Sequence, residues 1–494
     1  TSSLPIHMLR LGLARHRLAL AAPRVLAASS SARGRGLSTL EEAVGRRVVV
    51  EAGSDGEEFR AQHSITLHGA LGEVDTTPAE TFDDLVRTDA QGTEHSLPSK
   101  VVQFLRSKRY EQPTPIQAQA LPVALAGHDV VGVAQTGSGK TMGFLLPLFW
   151  EVAAARADPK NKIGPLAVVL APTRELAQQI EAEAAPLAKA FNCSTLCVFG
   201  GQPRHVQERQ IARMRRKLDL VVGTPGRLSD FIRDGTLPMH GVRFLVLDEA
   251  DRMLDMGFEP QLRRLVESYD LPPTVARQTL LFSATFAPKI QEVAARYQRS
   301  PKLALVSVGR IGATLDSIEQ RLVLCARGDK RSKLAAVRTL LAPGERSIIF
   351  VQKKHVASWV RAELHRSGVP TADIHGDRSQ AQREAALSAF RRGEVEVLVA
   401  TDVASRGIDV PEVAHVIQMD LPPSADEMDS YTHRIGRTGR AGHTGLATSL
   451  FVPGEEPKVG NGPLWGPLSR LLEENGQPLR GWFEELAPPR ARRA

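Results

Sequence analysis

Short apolar runs alternate with longer amphipathic segments along most of the chain, beginning at about residue 117. Turn-forming residues bound each apolar run, and the segments between the runs have the length and spacing of helices. This alternation is typical of buried parallel strands covered by helices, so it predicts an α/β fold. Ligands in such sheets bind at the carboxyl ends of the strands. The candidate strands of the first series are 130–133, 166–170, 218–222, 244–247 and 280–282.

The alternation pauses at residues 308–313 and then resumes, which indicates two α/β units joined by a short linker. Two units of similar size favour an enzyme with its site in the cleft between them. The candidate strands of the second series are 320–324, 347–351, 395–400 and 414–419. We therefore divide the chain into an N-terminal extension 41–77, a first domain 78–308, a linker 309–317, a second domain 318–486 and a basic tail 487–494.

The first forty residues differ in composition from the rest, with six arginines and no Asp or Glu. Without them, the net charge of +8 falls to +2, so overall basicity is weak support for nucleic-acid binding. Arginine, serine and apolar residues without acids are typical of an organelle transit peptide. We expect residues 1–40 to be cleaved, with Met8 as the initiator and the mitochondrial matrix as the destination. A plastid is the second choice, and a disordered basic tail that contacts RNA is the alternative.

Cysteine and apolar content exclude several classes of protein. The three cysteines are Cys193, Cys197 and Cys325, with no C-x-x-C pair and no histidine at zinc spacing. A disulfide framework or a zinc site is therefore not expected. No apolar run approaches the length that a membrane-spanning helix needs, so we expect no membrane partner.

A glycine-rich loop follows the first candidate strand and precedes a helical segment. Small residues allow backbone N–H groups to surround a phosphate, and the helix N-terminus adds a positive dipole. Lys140 can neutralise the β- and γ-phosphates, and the Thr141 hydroxyl can coordinate Mg²⁺. Ala134 stands where the strict pattern has glycine, which still permits a tight turn. The predicted phosphate-binding residues are Thr136, Gly137, Ser138, Gly139, Lys140 and Thr141.

A second element with carboxylates follows the candidate strand 244–247. An apolar strand that runs straight into acids delivers them to its carboxyl end. Asp248 suits Mg²⁺, through water because this ion gives up its waters reluctantly. Glu249 suits the general base that activates the attacking water. Together with the glycine-rich loop, these acids predict hydrolysis of a nucleoside triphosphate with Mg²⁺; the resemblance described next implies that the nucleotide is ATP.

The sequence Asp248-Glu249-Ala250-Asp251 gives its name to the DEAD-box RNA helicases, which the chain resembles from about Glu80 to Leu486. The resemblance implies two tandem RecA-like domains that close on ATP and single-stranded RNA. Residues 113–117 resemble the Q motif, which implies that Gln117 reads the adenine edge. Phe82 resembles the upstream aromatic that packs on the base. It lies further from Gln117 than is usual in the family, which predicts a local insertion.

The other motifs of the family also follow in order, and they imply roles for further residues. The side-chain hydroxyls, the backbone amides at turns and the arginines of these motifs are suited to bind the phosphates of RNA. Ser283 and Thr285 resemble the motif that couples hydrolysis to strand separation, and their hydroxyls are candidates to bond Asp251. Asp409 is implied to contact the ribose, His433 to act in coupling, and Arg437 and Arg440 to reach the γ-phosphate, Arg440 as the finger. The residues implied to contact RNA are Pro172, Thr173, Arg174, Gly201, Thr224, Pro225, Gly226, Arg227, Gln380, Arg383 and Thr401.

Within the family the chain most resembles the Vasa/Belle branch. The supporting segments are 109–110, 253–261, 308–310, 375–380 and 445–449, while Lys353 departs from the Thr that is common at its position. The leading hypothesis is an ATP-driven RNA helicase that unwinds duplexes or remodels RNA–protein complexes. The alternatives are an ATP-dependent RNA clamp and a DNA translocase. Partners are expected to be RNA, contacted through its backbone, and ribosomal or other organellar RNA–protein assemblies.

Overall fold

The computed structural model describes residues 56–69, 71, 76–135, 137–156, 164–214, 217–299, 302–309, 318–402, 413–439, 444–454, 456, 460–479 and 481–487. The predicted transit peptide, eight of the nine linker residues and nearly all of the basic tail lie outside this part. Among the described residues, no helix has the length and apolar character required to cross a bilayer.

The first domain is built on a large, nearly all-parallel sheet. Its strand order is β1-β10-β4-β9-β8-β5-β7-β6, and only β1 runs antiparallel to its neighbour. The central strands are buried on both faces, as expected where helices cover a parallel sheet. The strands are β1 (Ile65–Gly69), β2 (Val86–Thr88), β3 (Glu94–Ser96), β4 (Asp129–Val133), β5 (Ala167–Leu170), β6 (Thr195–Val198), β7 (Leu220–Gly223), β8 (Phe244–Leu247), β9 (Gln278–Ser283) and β10 (Leu303–Val308).

Two apolar clusters pack on the two faces of this sheet, one around Phe144, Phe149 and Phe282 and the other around Phe231, Met253 and Tyr297. The helices of this domain are Glu57–Gln62, Ser99–Ser107, Pro115–Leu125, Lys140–Arg156, Arg174–Ala190, Arg204–Met214, Pro225–Arg233, Ala250–Asp255, Glu259–Glu267 and Pro288–Tyr297.

The second domain contains a smaller sheet that is parallel throughout. Its order is β11-β16-β15-β12-β14-β13, and two further apolar clusters cover its faces. The strands are β11 (Ile318–Leu324), β12 (Ser347–Phe350), β13 (Thr371–Ile374), β14 (Val397–Ala400), β15 (His415–Gln418) and β16 (Gly445–Phe451). The helices are Lys330–Leu340, Lys354–Arg366, Gln380–Arg391, Met428–Ile435, Trp465–Glu474 and Gly481–Glu485.

Every candidate strand from the sequence coincides with or overlaps an observed one, and the predicted α/β class with two tandem parallel-sheet domains is confirmed. The first sheet begins earlier than the predicted boundary at residue 78, because β1 pairs with β10 along its full length. Alternating exposure along β1 hides it from a search for apolar runs. Polar residues such as Asp373 disguise β13 in the same way.

The stretch between Phe82 and the Q-motif segment, where a local insertion was predicted, has secondary structure of its own. It contains a two-stranded hairpin, β2 with β3, which lies apart from both large sheets. Asp89 closes its turn by accepting hydrogen bonds from the N–H groups of Gln91 and Thr93, each at 2.9 Å. Arg87 ties the hairpin to the body of the domain through Glu151, at 2.8 Å.

A candidate ATP and RNA cleft

The carboxyl ends of adjacent strands bring the first-domain motifs together. The phosphate loop follows β4, the residues 283–285 end β9, and the acids follow β8, and these three strands are neighbours in the sheet. The candidate RNA-contact segments follow β5, β7 and β6, which are the next strands along the same edge. One edge of one sheet therefore carries nucleotide chemistry at its centre and candidate RNA contacts towards its end.

The phosphate loop is held in the conformation that an anion cradle requires. Gly137 and Gly139 have φ angles of 83° and 91°, which favour glycine. The Lys140 ammonium is buried and donates to the carbonyls of Ala134 and Gln135. Burial lowers the pKa of Lys140, against the nearby acids that raise it. The Ser138 hydroxyl is buried and has no hydrogen-bond partner among the described residues, so the loop retains a donor for a phosphate oxygen.

Gln117 links the Q-motif helix to the phosphate loop. Its side-chain amide donates to the Gly139 carbonyl at 2.8 Å, and its oxygen accepts from the Thr114 N–H at 3.1 Å. A Cβ at Gly139 would lie 2.5 Å from that amide nitrogen, so only glycine fits there. Each polar atom of the Gln117 amide retains capacity for a second bond. Its predicted adenine contact would therefore add to this loop contact.

Phe82 is buried in the core of the first domain, where it lies at one wall of a cavity of about 440 Å³. Arg109 and Tyr110, from the segment before the Q motif, line the same cavity. The aromatic ring is therefore anchored beside the segment that leads into the Q motif. Its proposed contact with a base stays a prediction.

The two acids that follow β8 differ in their ionisation. Burial, with the neighbouring Glu249 charge, raises the pKa of Asp248 to about 7. Burial also raises the pKa of Glu249, but Arg252, Arg437 and His433 outweigh it, so that the net shift is downward. Glu249 thus stays a carboxylate, and its Oε2 accepts no hydrogen bond among the described residues. That oxygen lies 3.6 Å from Arg252 Nε, which is an ion pair without a hydrogen bond, so it keeps an acceptor site for the proton of a water molecule, as a general base requires.

Glu249 also has a left-handed backbone conformation, with φ 50° and ψ 52°. This conformation costs a non-glycine residue roughly 1 kcal/mol or more, and such positions cluster at functional sites. It turns the chain from β8 directly into the helix Ala250–Asp255.

Asp251 connects the acids to the end of β9. It accepts hydrogen bonds from the N–H groups of Ala284 and Thr285, at 3.1 and 3.2 Å, and from the Thr285 hydroxyl at 3.4 Å. The Ser283 hydroxyl, by contrast, makes no hydrogen bond to Asp251 among the described residues, and it accepts the Thr285 N–H at 3.3 Å. Ser283 thus shapes the turn that presents Thr285.

Residues of the second domain reach the acids across the cleft. Arg252 Nε donates to His433 Nδ1 at 2.6 Å, and His433 Nε2 lies 3.5 Å from Asp251. These contacts and the other nearby charges outweigh burial and hold the pKa of Asp251 below its usual range. Arg437 is buried in the same region and lines a small cavity with Arg252 and His433. The histidine and arginine of the second domain therefore lie beside the acids that follow β8 in the first.

Arg252 and Arg434 are functional candidates that the sequence reasoning did not assign. Arg434 forms a two-pronged ion pair with Asp402, at 2.6 and 2.5 Å, and donates to the Asp420 carbonyl at 2.6 Å. It therefore fixes the segment after β14 against the helix that carries His433. Arg252 directly follows the acids and Arg434 directly follows His433, but nothing in the sequence indicated the partner of either arginine.

A second contact across the cleft joins candidate RNA-contact segments. Arg383 forms an ion pair with Glu175 at 2.8 Å, and both side chains are largely buried. Thr173 caps the helix Arg174–Ala190 by accepting the Leu176 N–H at 3.2 Å. Arg383, predicted to contact RNA, thus also holds the two domains together, and Glu175 is a residue that the sequence did not single out.

The remaining predicted residues follow the carboxyl ends of strands in the two sheets. Arg174 packs against Gly201, where any Cβ would collide with its guanidinium. Arg227 donates to the Gln202 carbonyl at 3.1 Å. Pro172, Thr224 and Pro225 are buried, and Gly226 is half-buried, at the starts of their helices. Thr401 is buried directly after β14, and Gln380 begins its helix. Thr136, Asp409 and Arg440 lie outside the described residues.

The donor set at the acids fits Mg²⁺ that is held jointly with a phosphate. Among the described residues, no group of three His, Cys, Asp or Glu side chains could hold a metal ion. Mg²⁺ in nucleotide sites is bound by one or two carboxylates, substrate phosphates and water. The buried carboxyl of Asp248 and the Thr141 hydroxyl match that arrangement.

Two family models match the chain. The first, DEAD/DEAH box helicase, matches residues 114–293, and the second, the helicase conserved C-terminal domain, matches residues 332–442. The first match lies in the domain with the larger sheet, and the second lies in the domain with the smaller sheet.

Solved structures extend the similarity over most of the chain. S. cerevisiae Dbp5 bound to RNA and ADP BeF3 is 28% identical, with 83% of this chain and 98% of that chain covered and a TM-score of 0.66. Mss116p bound to ssRNA and AMP-PNP is 26% identical over 82% of this chain and 80% of that chain, with a TM-score of 0.66. Prp28 from Chaetomium thermophilum, bound to ADP, is 32% identical, with 90% of this chain and 99% of that chain covered and a TM-score of 0.43.

Proposed function

This chain belongs to the DEAD/DEAH box helicase family and is an RNA helicase and ATPase, and from that premise we propose that it couples ATP binding and hydrolysis to local unwinding of RNA duplexes or remodelling of RNA–protein complexes. The observation that carries the proposal is the contact between Asp251, Arg252 and His433. It joins the hydrolysis site of one domain to the other domain. Closure of the cleft and assembly of the site are therefore one event.

The chain's own residues divide the work at the nucleotide. Ser138, Lys140 and the amides of the loop hold the phosphates, and Gln117 selects adenine while bracing the loop. Glu249 accepts the proton of the attacking water, and Arg437, with Arg440, neutralises the charge that develops on the γ-phosphate. A Mg²⁺ ion held by Asp248 and Thr141 would supply further neutralisation of the phosphate oxygens.

RNA binding is proposed along the edge that carries the segments after β5, β6 and β7, and across to Thr401 in the second domain. Relatives of this chain are bound to RNA in their structures. An RNA strand that touches both domains contributes its full binding free energy only when they are closed, so it shifts the equilibrium towards closure. Backbone contacts leave the strand's sequence unread.

The experiment that tests this function measures ATP turnover and strand separation by the full-length protein. We expect steady ATP turnover that rises at least tenfold with single-stranded RNA, and ATP-dependent separation of a short RNA duplex. Equal stimulation by DNA would favour a translocase, and RNA binding without steady turnover would favour an ATP-dependent clamp.

We further propose that the protein acts in the mitochondrial matrix on organellar RNA–protein assemblies, and that it descends from the Vasa/Belle branch. Support for the location comes from residues 1–40, with their six arginines and no acids. Support for the branch comes from the segments 253–261 and 375–380.

Residues 8–40 fused to a fluorescent protein are expected to direct it into mitochondria, because a basic, acid-free amphipathic segment is what organelle import recognises. Fluorescence microscopy with a mitochondrial marker measures the result. A fusion in which the six arginines are replaced by glutamine is the matched control and should stay in the cytosol. Cytosolic signal from the unaltered fusion would contradict the location.

A further inference from the structure

The helix Arg204–Met214 has one buried face and one basic, exposed face. Gln207 and Ile211 are buried against the first domain. His205, Arg209 and Arg213, spaced by four residues, lie on the opposite side and are exposed. We refer to His205, Arg209 and Arg213 as the basic stripe.

The stripe's arginines carry charge that the protein does not neutralise. Arg204 at the start of the same helix is paired with Glu208 at 2.7 Å and with Asp234 at 2.5 Å. By contrast, no ion pair within the described part of the chain involves Arg209 or Arg213. A charged helix face is by itself the ordinary solvated surface of a protein. Whether such a face also binds a ligand depends on the parts of the fold to which its helix is attached.

The stripe is fixed rigidly to a candidate RNA-contact loop. The helix begins just after Gly200 and Gly201, and Gln207 clamps the loop by donating to the Phe199 carbonyl at 2.9 Å and accepting the Phe199 N–H at 3.2 Å. Both Gln207 bonds are buried. A phosphate contact at this loop therefore holds the stripe at a fixed position relative to the RNA.

A second set of contacts joins the stripe helix to the turn that contains Arg227. Arg227 donates to the Gln202 carbonyl at 3.1 Å, within the same loop. The guanidinium groups of Arg204 and Arg227 both lie over the Phe231 ring, 5.4 and 5.6 Å from its centre. The loop, the turn and the stripe thus form one rigid unit at the end of the sheet, beside its edge strand β6.

We propose that the basic stripe binds the phosphate backbone of RNA that continues out of the cleft past the Gly200-Gly201 loop. The proposal rests on the function proposed above and extends its binding surface. From His205 to Arg213 the helix rises about 12 Å, so the stripe is long enough to contact more than one phosphate of a single strand. The contact is to phosphates, so it is independent of sequence and adds affinity only for RNA long enough to reach it.

The test replaces both arginines in Arg209→Gln/Arg213→Gln and measures RNA affinity by fluorescence anisotropy with a non-hydrolysable ATP analogue present. Single-stranded RNAs of about 6 and about 24 nucleotides are compared over a series of salt concentrations. For the longer RNA we expect affinity to fall about tenfold and the slope of log K against log salt to decrease by about 1.4, since each lost phosphate contact removes about 0.7. Affinity for the shorter RNA and ATP turnover without RNA should not change.

The matched control is Lys100→Gln/Arg361→Gln, which removes the same charge from exposed positions on other helices. Equal loss in the control would show a general effect of net charge, and an unchanged slope in the stripe variant, while wild type binds the longer RNA normally, would show that the stripe does not contact phosphates; either result would overturn the proposal. If wild type neither binds RNA nor responds to it, the proposed function fails, and the stripe proposal fails with it.

Discussion

Glu249→Gln is expected to abolish multiple-turnover ATP hydrolysis while leaving ATP binding nearly unchanged. The substitution removes the ionised oxygen that accepts no hydrogen bond from a described residue, and it preserves the size of the side chain and the left-handed turn after β8. Loss of a general base reduces the rate about 10²- to 10⁴-fold. Steady-state phosphate release and equilibrium binding of a fluorescent ATP analogue measure the two effects.

Asp248→Asn is the informative comparison for that experiment. It changes the neighbouring carboxylate, which we assign to Mg²⁺ rather than to the proton transfer. We expect it to weaken Mg²⁺-dependent nucleotide binding, whereas Glu249→Gln should not. Near-normal turnover in the Glu249 variant, or equal loss of nucleotide affinity in both, would contradict the division of roles.

Arg437→Ala is expected to remove the stimulation of ATPase activity by RNA, with a fall in turnover of about 10³-fold. Arg437 is buried beside His433 and Arg252, and its charge helps to lower the pKa of Glu249. It belongs to the second domain, so it can act on the phosphates only in the closed state. Nucleotide affinity without RNA should therefore change little, which titration with an ATP analogue can check.

Arg437→Lys separates the charge from the shape of the guanidinium. A lysine keeps the positive charge near Glu249 but cannot make a forked contact with phosphate. Intermediate activity is expected. If Arg437→Ala retained full stimulation by RNA, the second domain would not take part in hydrolysis through this residue, and the cleft mechanism would need another group.

The sequence predicted the sheets and the acids because both depend on local patterns. The run 244–247 is apolar since it is buried on both faces, and the acids follow because the strand ends at the cleft. The pairing of Arg252 with His433 was not predictable in the same way. The two residues are 181 positions apart in the chain, and the contact depends on how two domains face each other.

Structural features that depend on polar residues were also not predicted from the sequence. β1 alternates buried and partly or fully exposed positions, and it sits at the edge of a sheet whose other strands lie far along the chain. Gln207 is a polar residue on a buried helix face, where its role is to hold a loop. Neither feature produces a run of apolar residues in the sequence, so only the folded structure identifies them.

Strand β1 also limits how the protein can be shortened. It pairs with β10 from Ile65–Val308 to Gly69–Ala304, and the Gly309 N–H donates to the Ser64 carbonyl at 2.9 Å, at the point where the linker begins. A protein that starts at residue 78 would leave the hydrogen-bonding groups of β10 unpaired along that side. An open, apolar strand edge is a template for pairing with a second molecule. Self-association of such a fragment would then lower its measured activity, even though its catalytic residues were unchanged.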